Sequence, residues 1–181
     1  MFKHLFGTAR KRNRAIAEAL YEQIMAAARQ PVPYSAWNVP DTPLGRYEML
    51  SLHVFLVLHR LKGEGVAADA LAQELTDAFF QDIDHSLREL GIGDMGVPKR
   101  MKRLARMFYG RAASYDAAID AGDLEALAAA LARNVRPDAA AWPEAAALAS
   151  HVMAQHAALR LQPLGTLLAG AVELPRAPGP A

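Results

Sequence analysis

The chain contains no cysteine. That removes a thiol nucleophile, a disulfide framework, cysteine-ligated zinc, iron–sulfur ligation and covalent haem attachment together. Serine is scarce, and neither a G-x-S-x-G elbow nor an S-x-x-K pair occurs, so nucleophilic catalysis has no visible apparatus. H-E-x-x-H, E-x-x-H and the EF-hand loop pattern are all absent. No catalytic, metal-binding or cofactor-binding residue is therefore assigned, and the chain is read as a non-enzyme. Long apolar runs are missing too. The greasiest stretch, "MLSLHVFLVLHRL", is interrupted by His53 and His59 and closed by Arg60, which reads as a buried helix rather than a membrane span. The N-terminus lacks a secretory apolar region. Its basic, acid-poor character is that of a mitochondrial transit peptide without the usual serines. Ile16, Leu20 and Ile24 continue a helical stripe out of it, which favours a retained basic arm.

What the chain does have is alanine. Its 181 residues are 52% hydrophobic, much of that alanine, which adds helix propensity and close packing rather than bulk and so predicts an all-α protein. The formal net charge of +1 hides a strong sorting of charge. The first 17 residues hold Lys3, Arg10, Lys11, Arg12 and Arg14 and no acid. Asp69 to Asp94 hold seven acids against the single base Arg88, and Val97 to Arg111 hold six bases and no acid. Blocks of this kind point to macromolecular or membrane-surface partners more than to a small-molecule pocket.

Helix follows helix along the sequence, and no repeat of solenoid type is visible. The first is expected from about Ala9 to Arg29, ending at "QPVPYSAWNVPD", whose prolines make an extended connector. The second starts at Asp41 or Thr42 as N-cap, with Pro43 in the first turn, and stops near Gly63. The third spans Ala67 to Leu90, with Leu75, Phe79, Ile83, Leu87 and Leu90 on one face. The fourth begins at Pro98 and stops at Gly122, and Asp123 caps a short fifth. Pro137-Asp138 is expected to start a sixth, and "PRAPGPA" to be loose. The resulting picture is a single-domain bundle of about six helices. Its expected divisions are a basic helical arm and connector over 1–36, a helical core over 37–172 and a flexible tail over 173–181.

"GIGDMG", Gly91 to Gly96, matches G-x-G-x-x-G, yet a dinucleotide site needs a strand before it and βαβ alternation around it. Here an amphipathic helix precedes it. Gly91 reads as a helix C-cap, Gly93 and Gly96 as bends, and Pro98 as a helix start. In "QDIDH", Asp82 and Asp84 point about 200° apart on a helix and cannot chelate together.

Glu74, Asp77, Gln81, Asp84 and Arg88 do share a helical face. That face is either a solvated surface carrying a weak Asp84–Arg88 pair or a polar docking stripe. Lys99, Lys102, Arg103 and Arg106 share another, opposite Met101, Leu104 and Phe108. These bases either meet the acids of the preceding helix or meet phosphate on anionic lipid or RNA. His53 and His59, on the most apolar helix, read as hydrogen-bonded buried imidazoles.

Taken in order, "LHVFLVLHRL", "LAQELTDAFFQDIDHSLRELGIGD", "VPKRMKRLARMFYGRAASYDAAI" and "LAAALARNV" resemble the ubiquinol-cytochrome c chaperone family over Asp41 to Val135. The diagnostic positions are Leu52, His53 and Val54; Gln73, Glu74, Leu75, Asp77, Phe79, Phe80 and Asp82; Met101 and Lys102; Tyr115 and Asp116; and Leu131, Arg133, Asn134 and Val135. Phe108 stands where mitochondrial relatives are expected to carry tryptophan.

The resemblance implies a non-enzymatic assembly chaperone that binds newly synthesised cytochrome b for the cytochrome bc1 complex. It would work beside the inner face of the cytoplasmic membrane, or on the matrix side of the mitochondrial inner membrane in a eukaryote. Under that reading Glu74, Asp77, Asp84 and Arg88 are the candidate partner-binding residues. Lys3, Arg10, Lys11, Arg12, Arg14, Lys99, Lys102, Arg103 and Arg106 are the candidate face toward ribosome or anionic membrane. No DNA partner and no small-molecule substrate is expected. The competing class is a helical lipid or small-molecule carrier, with the second helix lining a cavity.

Overall fold

The computed structural model describes the backbone of residues 2–179 and the side chains of residues 11–179. Among these residues every regular element is helical: α1 Phe2–Ala28, α2 Pro31–Ser35, α3 Pro43–Leu61, α4 Val66–Glu89, α5 Val97–Asp120, α6 Leu124–Val135, α7 Ala145–Leu161 and α8 Leu164–Leu168. The six long ones are the expected bundle, and α2 and α8 are single turns inside proline-rich connections.

Start and stop signals account for the long elements. Thr42 caps α3, its Oγ1 accepting the Gly45 N–H at 3.1 Å. Gly45 is irreplaceable there for a second reason: a Cβ on it would fall 1.9 Å from the carbonyl oxygen of Pro40. Asp123 caps α6 by accepting from Ala126 N at 2.8 Å. Gly91 and Gly122 end α4 and α5 in the left-handed conformation, at φ +77° and +63°. After α4 the Gly91 and Ile92 N–H groups return to Arg88 and Leu87, the paired bonds of a Schellman stop. "GIGDMG" is thus a helix stop, a bend and a helix start.

The packing centres on α3. Met49, Leu52, Val54, Leu56 and Val57 are at most 1% exposed, and α1, α4, α5, α6 and α7 all lie against this helix. Phe79 of α4 is fully buried beside Tyr47 of α3 and Phe108 of α5. Burying one such side chain contributes about 1.5–3 kcal/mol. α1 lies along α4 and α3 with Leu20 and Ile24 fully buried, so the part of α1 that carries them belongs to the same packed body.

Three expectations need correction. The connector after α1 is not wholly extended, because Pro31 sits at the start of a helical turn, where its fixed φ and missing N–H are tolerated. The sixth long helix begins at Ala145, not at Pro137. Trp142 is held outside it by its own Nε1–H bond to Trp37 O at 2.8 Å, and Pro143 then lies ahead of the first turn. The tail is irregular, as its prolines require, but over the described residues 173–179 it is not loose. Ala177 is buried, and main-chain groups from Val172 to Ala177 are hydrogen-bonded to glutamine side chains.

Candidate functional site

Among the described residues no ion pair joins an acid of α4 to a base of α5. Asp77 accepts from Gln73 Nε2 at 2.9 Å, Asp82 accepts from Tyr21 OH at 2.8 Å, and Asp84 pairs with Arg88 Nε at 2.7 Å. Arg88 also contacts Asp94 in the following loop. Lys99, Arg100, Lys102, Arg103 and Arg106 are exposed, and none forms an ion pair among the described residues. They occupy the face of α5 opposite buried Val97 and Phe108, as the 3.6-residue period requires.

Of the expected partner-binding residues Glu74, Asp77, Asp84 and Arg88, two share one recess. Asp77, Phe80, Gln81 and Asp84 line one shallow recess on α4. Glu74, Asp77 and Gln81 also line a groove of about 560 Å³ between α4 and α1, whose far wall carries Lys11, Arg14 and Glu18. Arg88 lies beyond the recess, tied to Asp84.

The expected basic residues lie on two helices, α1 and α5. Lys11 and Arg14 look into the acid-lined groove, and Arg14 pairs with Glu18 at 2.9 Å. Arg12 is exposed on the same helix. The side chains of Lys3 and Arg10 lie outside the described residues. α1 and α5 each pack on α4 and share no substantial contact with one another.

The sequence reading missed the aromatic component. Phe79, Phe80, Phe108 and Tyr109 form a chain of ring contacts 5.0 to 6.3 Å apart. It runs from Phe79, fully buried, to Tyr109, 58% exposed. The signal was present in the adjacent pairs "FF" and "FY". Neighbouring residues on a helix point about 100° apart, so when one is core the other sits at the rim. Phe80 is that rim residue, flanked along α4 by Asp77 and Asp84, three and four positions away.

Inside the bundle the polar groups are structural. Arg111 Nη2 of α5 lies 2.7 Å from Glu48 Oε1 of α3, an ion pair whose side chains are 12% and 2% exposed. It is not aligned as a hydrogen bond, and Arg111 Nε and Nη1 have no partner. Burial pushes the Glu48 carboxyl up to about 7, against the opposing pull of Arg111. His53 is fully enclosed, which holds its imidazole down at about 4, the bond to Met49 O opposing and His151 adding to the effect. Neutral His53 therefore donates Nδ1–H to Met49 O at 2.7 Å and leaves Nε2 as acceptor for Gln155 Nε2 at 3.3 Å. Asp116 is held below the usual carboxylate range, first by the hydrogen bond from Lys62 at 2.8 Å and then by His59 at 2.8 Å. Among the described residues no group of three histidines or acids is arranged to hold a metal ion. No helix among them is long and apolar enough to cross a membrane.

The fold and these surfaces define an all-helical protein with exposed charged faces over a filled core. More particularly, the chain belongs to the ubiquinol-cytochrome C chaperone family, whose sequence model matches residues 35–174. It is 30% identical over 98 residues to the ubiquinol-cytochrome-c reductase complex assembly factor 1 of Xenopus laevis, covering 54% of this chain and 48% of that protein. The match thus spans about half the length of the curated relative. Among solved structures it resembles the crystal structure of the Cbp3 homolog from Brucella abortus, with a TM-score of 0.88 and 58% identity over 98% of each chain.

The residues that carried the family resemblance divide by role. Leu52, His53, Val54, Leu75, Phe79, Tyr115, Leu131 and Val135 are buried. Asp82, Asp116 and Asn134 are polar but join helices, to Tyr21, to His59 and Lys62, and to Tyr115. Gln73, Lys102 and Arg133 are exposed. Asp77 and Phe80 stand half-buried at the recess.

Proposed function

We propose that this protein is a non-enzymatic assembly chaperone that holds newly synthesised cytochrome b and promotes its entry into the cytochrome bc1 complex. The observation that carries the reading is the α4 recess, where Phe80 continues the aromatic chain from the core between Asp77 and Asp84. Such a place offers an apolar anchor with a charged rim, the anatomy of a protein-recognition surface. Membership of the family and likeness to a protein named as a reductase-complex assembly factor support the choice of client. The unpaired bases of α5 support a peripheral station at the inner face of the membrane, where each base near an anionic surface contributes about 1 kcal/mol. The carrier reading finds no such support, because α3, its supposed cavity wall, is packed closely on its apolar side chains.

The test is a deletion strain complemented with wild type, Phe80→Ala or the Asp77→Lys/Asp84→Lys pair. Spectroscopic bc1 content and co-purification of cytochrome b are the readouts. Wild type restores both, and either variant, present at normal level, restores neither. Full restoration by both variants removes the recess from the reading, and a deletion strain with normal bc1 content removes the reading itself.

A further inference from the structure

The main chain of the segment 170–177 is gripped at five of its eight residues by glutamine side chains. Gln23 of α1 donates Nε2–H to Gly170 O at 2.8 Å and accepts the Val172 N–H on Oε1 at 3.0 Å. Gln162, just past α7, holds a single residue at both ends, donating to Glu173 O at 2.7 Å and accepting from Glu173 N at 2.9 Å. Gln155 of α7 donates to Pro175 O at 3.1 Å, and Gln30, past the end of α1, accepts from Ala177 N at 2.8 Å. The segment thereby bridges α1 and α7, which share no substantial contact of their own.

All of these bonds go to main-chain atoms. A primary amide presents a donor and an acceptor side by side, and so matches the N–H and C=O of one extended residue whatever its side chain. This is the logic by which sheet edges accept added strands. The side chains that are buried, Val172 and Ala177, are small, and Glu173 and Arg176 are exposed.

One grip is half-used. Gln155 is fully buried, yet its Oε1 has no hydrogen-bond partner among the described residues. The residue it holds is a proline, which has no N–H to give. His53, through its acceptor Nε2, fixes the orientation of that amide and leaves Oε1 for an incoming donor.

We propose that the seat between α1 and α7 is a binding site for an extended segment of another polypeptide, with the chain's own residues 170–177 as its resident placeholder. A segment with small apolar residues at the Val172 and Ala177 positions and any residue but proline at the Pro175 position satisfies every glutamine, including Gln155 Oε1. The tail leaves that bond unmade, which makes it displaceable. Naming an unfolded client as the occupant rests on the chaperone reading; the chemistry of the seat does not.

The test uses the full chain and fluorescein-labelled peptides with the sequence of residues 170–179, carrying either proline or alanine at the Pro175 position. Anisotropy reads binding. The tethered tail competes at an effective concentration on the order of mM, so wild type binds weakly. A Val172→Asp/Ala177→Asp variant, its fold checked by circular dichroism, has its tail ejected and binds at least about tenfold more tightly. The alanine peptide exceeds the proline peptide in both proteins. Methylating the peptide nitrogen at the Glu173 position abolishes binding, whereas alanine at that position does not. A folded variant that binds neither peptide overturns the proposal, as does indifference to N-methylation. So does dimerisation by tail exchange that peptide fails to compete. If the variant does not fold, hydrogen exchange on wild type decides. Excess alanine peptide must accelerate exchange of the Val172, Glu173 and Ala177 amides, and no acceleration overturns the proposal. Both readouts lack cytochrome b, so their failure leaves the bc1 reading standing, and failure of that reading leaves these results intact.

Discussion

In the first half of α5, Lys99, Arg100, Lys102, Arg103 and Arg106 stand exposed without ion-pair partners among the described residues. In the second half, Arg111, Tyr115 and Asp116 each reach a side chain on another element: Glu48, Asn134, and His59 with Lys62. One continuous helix thus carries charge in two ways. Where a neighbouring helix presents a complementary group, the charge joins the bundle together. Where none does, it remains available to something outside. The contrast also separates α5 from α4, whose Asp77, Asp82 and Asp84 all have partners within the chain.

The sharpest way to break the comparison is at its buried end. Arg111→Ala leaves Glu48 enclosed without its counter-charge and is expected to lower stability by about 3–5 kcal/mol in urea unfolding. Glu48→Gln together with Arg111→Met should recover most of that, because an apolar replacement of both charges leaves nothing uncompensated. If Arg111→Ala unfolds at the wild-type midpoint, the two halves of α5 do not differ as described.

The next effect is a pH dependence of the interior. His53 titrates at about 4 in the folded protein against an ordinary 6.5, so between those values the unfolded chain binds the extra proton. Its contribution is complete above 6.5 and falls by on the order of 3 kcal/mol as pH drops to 4. Glu48 works in the opposite sense. Its carboxyl is raised from 4.5 to about 7, so its contribution is complete below 4.5 and lost as pH rises through 7. The two slopes oppose one another between 4.5 and 6.5. Substituting His53→Gln should unmask the Glu48 slope, so that stability falls with rising pH across that window in a series of melting curves.

Asp116→Asn tests the partly exposed middle of the comparison. Loss of the Lys62 and His59 contacts should lower stability by about 1 kcal/mol or less. Because the Asp116 carboxyl is held low, its contribution is lost as pH falls, and the variant should flatten the acid limb of the stability profile. The smallest effect on stability belongs to the exposed half. Reversing Lys102, Arg103 and Arg106 to glutamate should change unfolding by no more than about 0.5 kcal/mol. The same changes should weaken binding to vesicles containing phosphatidylserine by roughly fivefold or more per charge, an effect that fades with salt in co-sedimentation. Unaltered vesicle binding would leave the free half of α5 without its proposed role.

Much of the architecture was legible because it is written locally. Thr42, Pro43, Gly91, Gly122 and Asp123 mark helix ends through their own backbone preferences, and the structure uses each of them as read. The stripe of Leu75, Phe79, Ile83 and Leu87 is buried for the same periodic reason, whereas Leu90, expected on that face, falls just past the end of α4 and is exposed. Trp142 defeated the same method. Its indole is satisfied by Trp37, and so the start of α7 depends on a partner 105 positions away. The tail owes its order to distant partners likewise. Its prolines exclude regular structure, but no local rule says that glutamines on α1 and α7 hold its main chain.

The candidate recess stands between these cases. That Glu74, Asp77, Asp84 and Arg88 share a face follows from helical spacing, and α4 displays them so. That Phe80 lies between Asp77 and Asp84 at the end of a ring contact chain through Phe108 to Tyr109 required α5 to be in place.

The sequence by itself determined the long helices, most of their ends, their buried faces and the segregation of acid and base along the chain, since propensity, capping and periodicity act within a few residues. The tertiary structure alone decided which charges are paired between helices. An ion pair depends on distance in space, and only the packing of α3 against α5 brings Glu48 to Arg111 while leaving Lys102 and Arg103 facing water.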